Sequence, residues 1–173
     1  YQILQTVRTF TGIMEFGALI KKSSATNSGW VKVAITDSGT DFDAGQNGGQ
    51  LFFNINGKFS YTIKVGGANT NVDFSFSPVQ DTYYWIIIKR NTDGTLTFRI
   101  ESSSHVLIDE KSTSQIISTS TPMRFDPIEV AQNNALTTGY VDEIYVDDFV
   151  TPVSTTTPPT SSSSTTPPTS SST

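Results

Sequence analysis

Apolar and polar residues alternate with a period of two through much of the chain. Val31, Val33 and Ile35 alternate with Trp30, Lys32 and Ala34; Leu51, Phe53 and Ile55 with Phe52, Asn54 and Asn56; Phe59, Tyr61, Ile63 and Val65 with Ser60, Thr62 and Lys64. Val72, Phe74 and Phe76 continue the series, followed by Tyr84, Ile86 and Ile88 and then by Leu96, Phe98 and Ile100. Each stretch predicts a half-buried strand, and no helical period persists anywhere. Turn signals separate them: Asn56-Gly57, Gly66-Gly67, and the run Asn91-Thr92-Asp93-Gly94. Roughly ten or more short strands at this spacing predict an all-β fold, two antiparallel sheets packed as a sandwich or jelly roll.

The pattern stops near residue 150. Ser154 to Thr173 contain only Ser, Thr and Pro, built from TTPPTSSSS at Thr156 and TTPPTSSST at Thr165. Such a stretch has nothing to bury and no charge to pair, so it cannot offset the entropy of folding, while its proline pairs hold it locally extended. We therefore divide the chain into a sandwich over 1–150 and a disordered or extended Ser/Thr/Pro linker over 151–173. The linker composition suits an O-glycosylated stalk, which places the chain outside the cell or on its surface, tethered to a further domain. Fully extended, its last twenty residues would reach on the order of 60 Å.

Composition narrows the chemistry. The chain has no cysteine, so apolar packing, backbone ladders or bound ions must hold it together. Residues 1–125 hold all eleven Lys and Arg against ten acids, whereas Asp126 to Asp148 hold six acids and no base. An acidic chain without a basic cluster is a poor nucleic-acid binder. No run of eighteen apolar residues predicts a membrane span.

The segment DTYYWIIIKRNTDGTLTFRI, Asp81 to Ile100, resembles the central hairpin of the concanavalin A-like jelly rolls, the superfamily of laminin-G-like domains, legume lectins and many carbohydrate-binding modules. GYVDEIYVDDF, Gly139 to Phe149, resembles their closing strand, and FTGIMEFGALIKK their opening strand. The resemblance spans most of residues 10–150. It implies that the closing strand returns beside the first, and calcium-stabilised loops are common among its members.

Catalytic chemistry finds little support. The Glu-X-Asp-X-X-Glu pattern of concanavalin-like glycosidases is missing, and Glu143 and Asp147, at i and i+4 on a strand, would stand roughly 13 Å apart, too far for either glycosidase geometry. A nucleophilic triad would have to use the single histidine, His105. The chain is expected not to be an enzyme. For metals, one histidine and no cysteine leave oxygen ligands and hence calcium. Asp37, Asp41, Asp43 and Asn47, in a loop with four glycines, are candidate ligands, and Asp142 among its acidic neighbours is another. Asp and Gly are also what any turn favours.

The aromatic residues are more telling. Alternation sends Trp30, Phe52, Tyr83 and Trp85 to the face opposite the core, with Lys32, Asn54, Asn56 and Arg99. Rings flanked by such groups suit a sugar platform, in which a pyranose stacks on the ring and side chains bond its hydroxyls. We take Trp30, Phe52, Asn54, Tyr83 and Trp85 as the candidate carbohydrate site. Two other readings stay open: a loop or neighbouring subunit covers the rings, or Tyr83–Ile88 is a central strand buried on both sides. The function expected is a non-catalytic carbohydrate-binding module of a secreted multidomain protein, such as a glycoside hydrolase, with polysaccharide as partner. The alternative is a structural or adhesive subunit of an extracellular filament, self-associating through strand addition by YQILQTVRTF. A small glycosidase is a third reading.

Overall fold

The computed structural model describes residues 9–22, 29–53, 57–132 and 139–148. They form ten strands: β1 (Met14–Lys22), β2 (Gly29–Thr36), β3 (Gly48–Phe53), β4 (Phe59–Val65), β5 (Ala68–Asp73), β6 (Tyr84–Arg90), β7 (Thr95–Ser102), β8 (Leu107–Ile116), β9 (Arg124–Gln132) and β10 (Gly139–Asp148). All pair antiparallel in two five-stranded sheets, β10-β1-β6-β7-β8 and β5-β4-β3-β2-β9. The Ser/Thr/Pro linker, the N-terminal segment 1–8, Asn54 and Asn56 lie outside the described residues. Among the described residues no helix is long and apolar enough to cross a membrane.

The alternating residues form the core. Phe16 and Ile20 of β1, Ile86 and Ile88 of β6, and Phe98 and Ile100 of β7 face Val31, Val33 and Ile35 of β2, Leu51 and Phe53 of β3, and Phe59 and Ile63 of β4. Tyr61 stacks on Phe98 with ring centroids 4.4 Å apart. Gly49 makes this approach possible, because a Cβ there would lie 2.8 Å from Phe98 Cζ. At one end of the sandwich Arg90 is wholly buried, its guanidinium donating to the carbonyls of Gly12 (2.7 Å), Thr121 (2.8 Å), Phe10 (3.4 Å) and Ser118 (3.5 Å).

The implied closure holds: β10 lies against β1, from Met14 opposite Asp148 to Lys22 opposite Gly139. Two of the predicted turns form, with Gly66 and Gly67 both at positive φ between β4 and β5, and Gly94 at φ 84° in the β6–β7 hairpin; the Asn56-Gly57 turn includes a residue outside the described ones. β5 differs from the sequence reading, which began a strand at Val72. The observed strand starts at Ala68, and its Ala-Asn-Thr-Asn stretch is exposed on both faces because β5 is an edge strand with no burial to impose alternation.

Candidate functional site

The outward faces of the two sheets lie on opposite sides of the sandwich, and the aromatic candidates divide between them. Phe52 is on β3 of the second sheet; Trp85 is on β6 of the first, and Tyr83 immediately precedes that strand. Trp30 is in β2 by its backbone, opposite Ala131, but its side chain and all of Asn54 lie outside the described residues. The expectation of one shared platform is therefore corrected: alternation separates inside from outside but does not say which sheet a strand joins.

On the first sheet the rings are covered. Trp85 is only 3% exposed, packed with Leu19 and Ile87 and flanked by Tyr83 and Tyr145. The ring of His105, at φ 62°, stacks on it at 4.9 Å, and Tyr145 lies across it at 5.6 Å. Tyr145 can lie this low because it rests on Gly17, where any Cβ would collide with its ring. Its hydroxyl donates to Glu15 (2.7 Å), Glu15 pairs with Arg99 (3.4 Å) and Lys89 (4.0 Å), Arg99 with Glu101 (2.8 Å), and Glu101 with His105 (3.1 Å). Tyr83 is half-buried with the Lys21 ammonium 4.9 Å over its ring. This face is a closed aromatic and ionic cluster, in keeping with β6 being a central strand buried on both sides.

The second sheet is different. Antiparallel register sets Lys32 of β2 opposite Phe52 of β3, and Gln50 opposite Thr62 of β4. Lys32, Gln50 and Phe52, with Asp43 of the β2–β3 loop, line an open pocket of about 200 Å³. Phe52 is half-buried and Lys32 7% exposed. The Gln50 amide donates to Thr62 Oγ1 (3.1 Å), which donates to Asn71 (2.6 Å), while Gln50 Oε1 is buried without a hydrogen-bond partner among the described residues. An acceptor so placed is costly unless something bonds to it. Gln50 was missed in the sequence reading, although its place two residues before Phe52 puts it on the same face.

Three of the candidate cation residues, Asp37, Asp41 and Asn47, are engaged by hydrogen bonds within the protein. Asp37 accepts from the amides of Gln46 (2.8 Å) and Asn47 (3.0 Å) and from Asn47 Nδ2 (2.7 Å). Burial alone would raise its pKa, but the bonds from Asn47 and Gln46 together outweigh it and hold the carboxyl below its ordinary value. Asp41 accepts from the Ala44 amide (2.7 Å), and Asn47 Oδ1 from Gly66 (3.1 Å). Asp43 is exposed at the pocket, and Asp142 is exposed on β10 of the other sheet. Among the described residues no three His, Cys, Asp or Glu side chains gather as a metal site.

No protein-family model matches this sequence, and no curated protein matches it either. Solved structures do. A legume lectin-like domain from Entamoeba histolytica superposes with TM-score 0.61 at 15% identity, over 84% of this chain and 77% of that one. The CBM2 module of the evolved Dit protein of Lactobacillus casei BL23 phage J-1 gives 0.52 at 16%, over 78% and 61%. A protein of unknown function from Shewanella oneidensis MR-1 gives 0.52 at 15%, over 78% of this chain and 56% of its own, so this chain spans little more than half of its length. The fold is the two-sheet jelly roll of the concanavalin A-like type.

Proposed function

We propose that this domain is a non-catalytic carbohydrate-binding module of a secreted protein, and that it binds polysaccharide in the pocket around Phe52. The observation that carries this reading is the pocket's chemistry. A half-buried aromatic ring stands beside a lysine, a carboxylate and the Gln50 Oε1 acceptor, which has no partner among the described residues, the combination that stacks a sugar ring and bonds its hydroxyls. The lectin-like and CBM2 neighbours lend the fold-level support. At about 200 Å³ the pocket is below the usual range for deep ligand sites, so it suits one sugar unit of a longer chain, bound weakly. Weak single-site binding fits a tethered module, because a linker lets another domain on the same chain add avidity. On the other sheet, Glu15 and Glu101 are both engaged with Arg99, which favours a structural role for them over acid–base chemistry.

The test is retention of the domain on insoluble cellulose, chitin and xylan, followed by titration with oligosaccharides. Phe52→Ala is expected to weaken binding by about three- to tenfold, the worth of one stacked ring, with the melting temperature little changed. Trp85→Ala should instead lower stability, since that ring is covered. A folded domain retained by no polysaccharide, or a Phe52→Ala variant that binds as the wild type does, would sink the proposal.

A second reading, self-association, is favoured by the edge strand β8. Ile116 is 60% exposed and Leu107 54%, and Val106 just before the strand is 63% exposed, on an edge whose backbone can pair with another strand. Asp109, Glu110 and Lys111 interrupt this apolar run. Sedimentation showing a concentration-dependent oligomer abolished by Leu107→Lys would establish it; a monomer at all concentrations would remove it.

A further inference from the structure

The fold family implies calcium-stabilised loops, and the β2–β3 loop has the residues for one, yet its oxygens are arranged for a different cation. Lys64 of β4 is 6% exposed, and its ammonium donates to the carbonyls of Asp43 (2.9 Å) and Phe42 (3.1 Å). It also stands 5.0 Å from the centre of the Phe42 ring. Phe42 is 1% exposed and its amide donates to the buried carboxylate of Asp126 on β9, so it anchors the loop to the outward face of the second sheet. Asp37 spends both carboxylate oxygens on Gln46 and Asn47, and the Gln46 carbonyl accepts from Gly67 (2.8 Å). Calcium asks for six to eight oxygens converging on one point. Here the Asp37 carboxylate and the Phe42, Asp43 and Gln46 carbonyls all point at protein donors rather than at one shared point, and the residues do not fit that ion.

We infer that Lys64 is the resident cation of this loop and the positioning residue for Asp43, so that the Phe52 pocket is formed without calcium. The inference rests on the sugar-binding reading only for what the pocket is used for. A charge carried on the chain cannot dissociate when free calcium falls, and by holding the Asp43 carbonyl it fixes where the Asp43 side chain meets the pocket. Calcium loops achieve such order only while the ion is bound. Isolated buried ammonium groups are costly, and two carbonyls together with an aromatic face supply the compensation.

Two readouts test this independently of any sugar. In the wild type, amide hydrogen exchange at Ala44, Gly45, Gln46 and Asn47 should be the same in chelator and in millimolar calcium, and the Lys64 ammonium should be visible by nitrogen NMR through its slow proton exchange. In Lys64→Met those amides should exchange about tenfold faster or more, and calcium should not restore them. Polysaccharide retention should fall in parallel. Calcium-dependent protection of these amides in the wild type would overturn the inference. So would Lys64→Met with unchanged protection, or an ammonium that exchanges as fast as an exposed lysine's. Should Lys64→Met fail to fold, the two wild-type measurements still decide. A wild type that binds no polysaccharide, with the loop behaving as stated, would count against the sugar site and leave the role of Lys64 standing.

Discussion

Arg90→Ala is expected to destabilise the domain by about 3–5 kcal/mol, enough to lower its melting temperature by more than about 10 °C. The guanidinium is wholly buried, and its partners among the described residues are backbone carbonyls: Phe10 and Gly12 before β1, Ser118 and Thr121 between β8 and β9. A planar group with five donors can join two chain segments at once in this way. Burial pulls its pKa below the ordinary arginine value, but arginine starts so high that the charge persists at any ordinary pH. Truncation to alanine removes a large side chain from the end of the core and strips donors from buried carbonyls, each of which costs about 1–3 kcal/mol when left bare. Arg90→Lys keeps the charge but gathers its donors on one nitrogen, which cannot reach across the same span; an intermediate loss of about 2 kcal/mol is expected. Urea and thermal unfolding followed by circular dichroism measure both. A shift of under about 3 °C for Arg90→Ala would show that the clamp is incidental.

The fold was largely legible because a two-residue period is a strong signal wherever one face is buried. Val33, Leu51, Ile63, Ile86 and Phe98 all read as core-facing and all are. The β10–β1 closure came from the resemblance of GYVDEIYVDDF, since no local rule pairs strands more than a hundred residues apart. β5 was hard to read because an exposed edge has no hydrophobic side to mark it. The same limit shaped the candidate site. Outward-facing could be read at Phe52 and Trp85 alike, but their separation onto opposite sides of the sandwich follows from sheet order, a non-local property. Covering of Trp85 depends on His105, in a left-handed turn, and on Tyr145 sixty residues away, and neither relation leaves a mark in the local pattern. In the β2–β3 loop the acids drew attention, whereas the organising residues are Phe42, an apolar anchor among polar neighbours, and Lys64, which alternation placed on an ordinary solvent face.

Stability should also fall steeply in alkali, and two tyrosines account for the direction. Tyr145 has its pKa raised well above the ordinary tyrosine value, by burial first, then by its hydrogen bond to Glu15 and the charge of that carboxylate, with Arg99 opposing and Glu101 adding slightly. Tyr61, 7% exposed between Phe98 and Phe74, is raised by burial. In the unfolded chain a tyrosine ionises near pH ~10. Below that, both states hold the proton and stability does not change with pH on their account. Above it the unfolded chain releases the proton while the folded domain retains it, so stability declines until the folded values are passed. The slope is at most about 1.4 kcal/mol per pH unit for each residue. Tyr145→Phe should cost stability at neutral pH, because a bond to a carboxylate is lost, yet its decline between about pH 10 and about pH 12 should be shallower than that of the wild type. Urea midpoints across that range, with tyrosinate absorbance followed in parallel, give both slopes. Equal slopes for wild type and variant would mean that Tyr145 ionises in the folded domain as easily as in the unfolded one, and that its bond to Glu15 does not hold the proton.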